Sequence, residues 1–443
     1  MPTAEATTDI GAILSDFCNN ISDQRPLGVA VSGGSDSLSL LLGMTRSVPL
    51  TQLVALTVDH GLRDCSADEA RAVKRFCRRL GVRHETLLWK GEKPVSGLQA
   101  KAREARYHLL TEAAARLGLA AILTGHTADD QAETLAMRHD RGLRDGAPGL
   151  TGIPRASLFD SRAWVLRPLL GVDRAGLRGY LVSAGVDWIE DPSNRDTRFE
   201  RVRVRERLKA EAMSFVSGAD VSDTELSDAV AARVRVASQA AAFVDQSCET
   251  LMDGTWRVAV DAAAAGEAGM MALQALIRSC GGGARPLDRR GKLALQAFVS
   301  GCQAGSALAV GRTLIKRDGA GFVLMRERRG LEELVIAPGQ SADWDRRFRI
   351  TNLDRYSDLR VAADHSEMAM PLFSRDFSAG CRSWSPAGGT CGGFLVERLV
   401  GGFSRVLPVY ELPLAQALAR LTGGKAFSEC PWAASLAIGS EMA

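Results

Sequence analysis

Leu27-Gly28-Val29-Ala30-Val31-Ser32-Gly33-Gly34-Ser35-Asp36-Ser37-Leu38 decides how this chain folds. An apolar strand runs into a glycine turn bearing hydroxyls and a carboxylate, and the apolar run to Leu42 continues as a helix. A turn that opens a helix gathers backbone N–H groups around an anion, and the helix N-terminus adds partial positive charge. The paired glycines let the backbone approach a phosphate that a Cβ would hold off. A Walker A loop ends in Gly-Lys-Ser/Thr; here no lysine follows the glycines, and Asp36 stands where it can hold Mg²⁺.

Around this loop, apolar runs alternate with helical patterns. Strands are predicted at 27–32, 53–59, 84–89, 120–124 and 165–168, and helices at 37–44, 67–80, 98–117 and 129–138. The alternation predicts an α/β fold, a doubly wound parallel sheet covered on both faces. Ligands of such sheets bind beyond the carboxyl ends of the strands. The polar motifs fall at those ends: the loop itself, Asp59-His60-Gly61-Leu62-Arg63, and Thr124-Gly125-His126 running to Thr134. Their convergence on one rim predicts a nucleotide site.

Spacings of four and three residues put Asp129 and Glu133, or Asp130 and Glu133, on the same helical face. They suit Mg²⁺ or a nucleophilic amine, while Thr127 and Asp130 equally fit a capping box, so both readings stand. Asp59 and His60 are candidates for contact with adenosine, against the plainer reading of a satisfied strand-end turn. Arg103 and Arg106, three residues apart on the helix at 98–117, can offer guanidinium forks to phosphate or simply form a charged helix face.

A length of 443 residues implies several domains, expected at 1–215 (catalytic), 216–305 (helical) and 306–443 (small, β-rich). No apolar run reaches membrane-spanning length, and the first twenty residues lack the basic start of a secretory signal. The nine cysteines include no Cys-x-x-Cys pair, which argues for reduced thiols in a cytoplasmic protein. Net charge is only +3, so a nucleic-acid surface must be local. The stretch from Arg195 to Lys209, with seven bases and three acids, is the candidate.

Taken together, the loop 32–37, Val58-Asp59-His60-Gly61-Leu62-Arg63, Gln99-Ala100-Lys101-Ala102-Arg103-Glu104-Ala105-Arg106-Tyr107, the 125–134 segment, Arg167-Pro168-Leu169-Leu170 and Glu190-Asp191-Pro192-Ser193-Asn194 resemble the tRNA(Ile)-lysidine synthases, within the N-type ATP pyrophosphatases. The motifs occur in that family's order over roughly 27–208. The resemblance implies an adenine nucleotide alpha hydrolase-like fold, ATP and Mg²⁺, and two further substrates, free L-lysine and an isoleucine tRNA with a CAU anticodon. It implies attack of the wobble cytidine C2 oxygen on the α-phosphate of ATP, then displacement of AMP by the lysine ε-amine. The change converts codon reading from AUG to AUA and charging from methionine to isoleucine.

On that resemblance, Ser32, Gly33, Gly34, Ser35, Asp36, Ser37, Asp59, His60, Gly125 and His126 bind nucleotide. Asp36 also holds the metal, and Asp36, Arg103, Arg106, Asp130, Glu133 and Arg205 carry catalysis. Arg205 is chosen from Arg201-Val202-Arg203-Val204-Arg205, where the family usually has Arg-Asn-x-x-Arg. The glycine-rich stretch 142–152 looks like the family's mobile loop, and a surface linker is the equal alternative. A thiocytidine synthase-like enzyme would need cysteine pairs, and an amidotransferase a glutaminase domain; neither is present. The pattern leaves monomer and homodimer equally open.

Overall fold

The structure, a computed structural model, describes residues 9–436 apart from 64, 92, 95, 143–150, 192–195, 214–222, 252–253, 260–265, 320, 365–369, 375–379, 382–387 and 392. Most of the predicted mobile loop at 142–152, together with Pro192, Ser193, Asn194 and Arg195, lies outside the described residues. The chain forms two compact units, Met1–Arg233 with Glu429–Ala443, and Val234–Ser428. We propose domain boundaries at 215 and 305, with residues 429–436 returning to the first unit.

The first unit runs α1 (Ile10–Asn19), β1 (Leu27–Ala30), α2 (Ser35–Ser47), β2 (Leu53–Asp59), α3 (Ser66–Leu80), β3 (Arg83–Leu88), α4 (Leu98–Leu117) and β4 (Ala121–Leu123). It continues through α5 (Ala128–Asp140), β5 (Ala156–Phe159), β6 (Ala163–Leu166), α6 (Arg174–Ser183) and α7 (Glu200–Met213), and α8 (Asp223–Ser247) follows. Within the unit the strand order is β5-β6-β4-β1-β2-β3. Leu27 of β1 lies between Leu53 of β2 and Ala121 of β4, both parallel, and β3 and β6 extend the parallel array outward.

Continuous burial, rather than alternation, marks β1 and most of β2, because helices cover both faces of the sheet. On one face, Val54, Leu56 and Ile122 join Tyr107, Leu110 and Ala113 of α4 in a single core. The predicted sheet is confirmed with one correction: β5 runs antiparallel to β6, so one side of the array is mixed. Asp160 and Ser161, both at φ +52°, make the tight turn joining them. The run 156–159 is too short and too uniformly buried to announce itself as a strand.

The chain's last described stretch also departs from expectation. Trp432 pairs with Ile21, sets its ring edge-on against Phe17 at 5.0 Å and lies under the Arg155 guanidinium at 4.6 Å. Residues 429–436 thus belong with the first unit, not with the β-rich stretch that precedes them.

In the second unit, β7 (Cys248–Thr250) and β8 (Trp256–Ala259) precede α9 (Gly266–Gly281) and α10 (Arg289–Gly301). With β9 (Ala307–Val310), β10 (Thr313–Asp318) and β11 (Gly321–Arg326) they build an antiparallel sheet in the order β7-β8-β11-β10-β9. Two four-stranded sheets follow, again small and antiparallel among the described pairs. In the turn between the strands Ser341–Trp344 and Phe348–Asn352, Asp345, its side chain only 3% exposed, accepts from Arg312, Arg326 and Arg347 at 2.6–2.9 Å.

Candidate active site

The phosphate loop closes on itself through Ser37. Its hydroxyl accepts from the Ser32 N–H at 3.1 Å and donates to the Gly34 carbonyl at 3.0 Å, which holds the turn at the start of α2. The first N–H groups of that helix have no partners within it and face the turn. Gly33 adopts φ +89°, and a Cβ there would meet Ile189 Cδ1 at 2.8 Å. The Ile189 N–H in turn donates to the Gly33 carbonyl at 2.9 Å, so the 188–191 segment is laid directly on the loop. Gly125, at the end of β4, comes closer still: a Cβ would stand 2.7 Å from the backbone oxygen of Asp36.

Asp36, Asp130 and Glu133 are brought together with arginines. Asp36 accepts from the Ser35 hydroxyl at 2.8 Å and from Arg174 Nε at 3.1 Å. Asp130 closes the capping box with Thr127 and also accepts from Arg201 at 2.7 Å and Arg174 at 3.3 Å. The capping box expected from Thr127 and Asp130 is present, and the same carboxylate also meets the two arginines. Glu133, with a side chain 2% exposed, is clamped at 2.5 Å by both Arg201 and Arg205. Burial pushes the Glu133 carboxyl up, but those two arginines outweigh it and hold it below the ordinary value. Asp130 goes the other way: burial dominates and raises it, despite Arg201 and Arg174.

The basic stretch is helical from Glu200, which sets Arg201 and Arg205 one turn apart on the face toward α5. Val202 and Val204 are buried, and Arg203 instead donates to the carbonyls of Thr197 and Arg198.

A second group lies at the ends of β2 and β4. The Asp59 carboxylate accepts from the Gly61 N–H at 2.9 Å, as a strand-end turn requires, and His60 meets Trp89 edge-on at 5.8 Å. Burial lowers the His60 imidazole, and Arg106 lowers it further. His126 shares a hydrogen bond with Thr124 Oγ1 at 2.9 Å and is pushed well below the usual imidazole range, first by burial, then by Arg167, Arg106 and Arg103. Arg106 thus acts on both histidines and Arg103 on His126, while Arg103 packs over Tyr107 at 5.0 Å. Arg167, 2% exposed, is anchored on the Pro154 carbonyl at 2.7 Å.

Sequence reading misses Arg174. Asp173-Arg174-Ala175 reads as an ordinary helix start, and Asp173 does cap α6 through the Gly176 N–H. Only the packing of α6 against α2 sends the Arg174 guanidinium into the carboxylates.

A family model described as a PP-loop domain matches residues 5–212, which contain both groups of side chains. The chain is thus of the PP-loop class of nucleotide-using proteins. Full-length relatives narrow the class. The chain is 38% identical to the tRNA(Ile)-lysidine synthase of Mesorhizobium japonicum over 437 residues, covering 91% of this chain and 93% of that protein. With the protein of the same name from Rhizobium meliloti it shares 38% identity over 79% of this chain and 78% of that one. The chain belongs to the tRNA(Ile)-lysidine synthase family. Among solved structures it is similar to the U34-tRNA thiolase NcsA from Methanococcus maripaludis, at 15% identity and a TM-score of 0.39 over 47% of this chain and 74% of that one. A likeness so slight adds nothing to the assignment.

Proposed function

We propose that the protein converts the wobble cytidine of an isoleucine tRNA with a CAU anticodon to lysidine, using ATP and free L-lysine. The observation that carries this reading is the meeting of Asp36, Asp130 and Glu133 at the mouth of the phosphate loop. A phosphate cradle and an acidic receiver for an amine then lie side by side. In the first step the C2 oxygen of the base attacks the α-phosphate and pyrophosphate leaves. Positioning and charge stabilisation suffice for such a transfer. Ser32 to Ser37 bind the phosphates, Arg103 and Arg106 receive the developing charge, and Asp59, His60, Gly125 and His126 line the nucleotide. In the second step the lysine ε-amine attacks C2 and AMP departs.

That amine arrives protonated. Asp130, raised by burial, is the better proton acceptor; Glu133 is committed to Arg201 and Arg205 and fixes α7 in place. Arg205 therefore acts through Glu133.

Asp36 suits Mg²⁺ in the chemistry of its donors: a partly exposed carboxylate beside the cradle, with Ser35 and Arg174 taking one lone pair on each oxygen. Mg²⁺ keeps several waters and phosphate oxygens as ligands, so one or two carboxylates suffice to hold it. When bound, the ion would neutralise charge on the triphosphate. The basic helix α7 and the second unit would hold the tRNA. The tRNA substrate places the action in the cytoplasm, and no helix among the described residues is long and apolar enough to cross a membrane.

The test is AMP release from ATP by purified protein, with lysine and unmodified tRNA supplied separately and together, alongside mass analysis of the wobble nucleoside. Release that needs the tRNA, with a lysine-sized mass gain only when both substrates are present, is expected. AMP release indifferent to lysine would discard the function and keep the fold.

A further inference from the structure

One guanidinium spans the two halves of the site. Asp36 lies in the first turn of α2, at the end of the phosphate loop, whereas Asp129, Asp130 and Glu133 lie in the first turns of α5. Arg174 opens α6, with a side chain 16% exposed. Its Nε donates to Asp36 Oδ2 at 3.1 Å, its Nη2 to Asp130 Oδ1 at 3.3 Å, and its Nη1 stands 3.8 Å from Glu133 Oε1. Its backbone N–H donates to Asp129 Oδ2 at 2.7 Å. Among the described residues, no other side chain touches both Asp36 and a carboxylate of α5.

We propose that Arg174 is a positioning residue that couples the nucleotide subsite to the amine subsite. The inference rests on the functional reading above. A guanidinium presents its donors in a fixed plane, so taking Asp36 on one nitrogen and Asp130 on another sets the spacing of the two carboxylates. An ammonium is a point charge and cannot fix two partners in the same way. When ATP orders the loop and Asp36, Arg174 carries that constraint to Asp130, the group that receives the lysine. A purely structural tie is the alternative, because α6 is also fastened to α2 by the Ser39 hydroxyl on the Leu177 carbonyl at 3.0 Å.

The test uses full-length protein and three variants, Arg174→Lys, Arg174→Ala and Ser39→Ala. Lysine affinity is measured by calorimetry with and without α,β-methylene-ATP. In the wild type the analogue is expected to tighten lysine binding about fivefold or more, the low end of ordinary coupling. Arg174→Lys is expected to bring that ratio within twofold of unity while each ligand still binds alone. Millimolar guanidinium added to Arg174→Ala is expected to restore part of it. Ser39→Ala, which loosens α6 without touching the carboxylates, should keep the wild-type ratio. Undiminished coupling in Arg174→Lys, no coupling in the wild type, or equal loss in Ser39→Ala would each overturn the inference. Failure of the functional reading is separate: wild-type protein would then place no lysine on the tRNA.

Discussion

Gly125→Ala tests the geometry of the phosphate loop directly. The new Cβ would lie 2.7 Å from the Asp36 carbonyl oxygen, 2.8 Å from its carbon and 3.1 Å from the Ser37 nitrogen. Ordinary contact begins at 3.4 Å, so the end of β4 and the first turn of α2 must separate by about 0.7 Å. These three nearest atoms are all backbone, which cannot swing aside as a side chain can. Overpacking of this kind costs about 1–3 kcal/mol. For a unit of this size that is a fall in Tm of roughly 2–12 °C.

The larger effect is on rate. A misplacement of about 1 Å near the reacting groups costs on the order of a hundredfold, so a loss of roughly 30- to 100-fold is expected in single-turnover tRNA adenylation. Gly179→Ala is the control: it lies in α6 with nothing within 4 Å of its Cβ, and it should be neutral or stabilised by up to about 1 kcal/mol. A Gly125→Ala protein that melts and adenylates like the wild type would refute the claim that the close approach of β4 to α2 sets the loop.

Three further outcomes are expected. Arg205→Ala leaves the buried Glu133 with Arg201 at 2.5 Å, so it should lose only about 1–2 kcal/mol of stability while turnover with tRNA falls and ATP binding holds; unchanged turnover removes Arg205 from the site. Burial raises the Asp345 carboxyl, but Arg326, Arg347 and Arg312 outweigh this and hold it below its ordinary value. Its contribution is therefore full above the unfolded carboxylate range and disappears as pH falls through the lower folded value. Asp345→Asn should cost about 3–5 kcal/mol near neutral pH and flatten the loss of Tm below about pH 4; an unaltered acid limb counts against the assignment. Arg398 is buried over the Phe348 ring at 4.5 Å, its Nε has no acceptor, and burial followed by Arg347 brings it down to about 9. Arg398→Met should be neutral or gain up to about 4 kcal/mol in chemical denaturation, and a clear loss of stability would refute that reasoning.

Local signals carried much of the fold into the sequence. The boundaries of β2 and α4 are legible because a buried β-branched run and a twenty-residue helical period leave little room for another assignment. The phosphate loop is equally plain, since two glycines, three serines and an aspartate within six residues have few other uses. The antiparallel β5 and the return of Trp432 to α1 leave no such mark. A four-residue buried strand has no period to read, and the partner of Trp432 lies over four hundred residues away.

The site divides in the same way. Asp36, Asp130 and Glu133 are visible because loop chemistry and helix spacing are properties of neighbours along the chain. Arg174 and the pairing of Arg201 with Glu133 are not, because each joins residues 44 to 138 positions apart. By itself the sequence determined the phosphate loop, the alternation that builds the sheet and the carboxylates at its rim. Only the tertiary structure decided which arginine neutralises which carboxylate, because that depends on how α6 and α7 pack against α2 and α5, and a buried charge is costly unless folding delivers its partner.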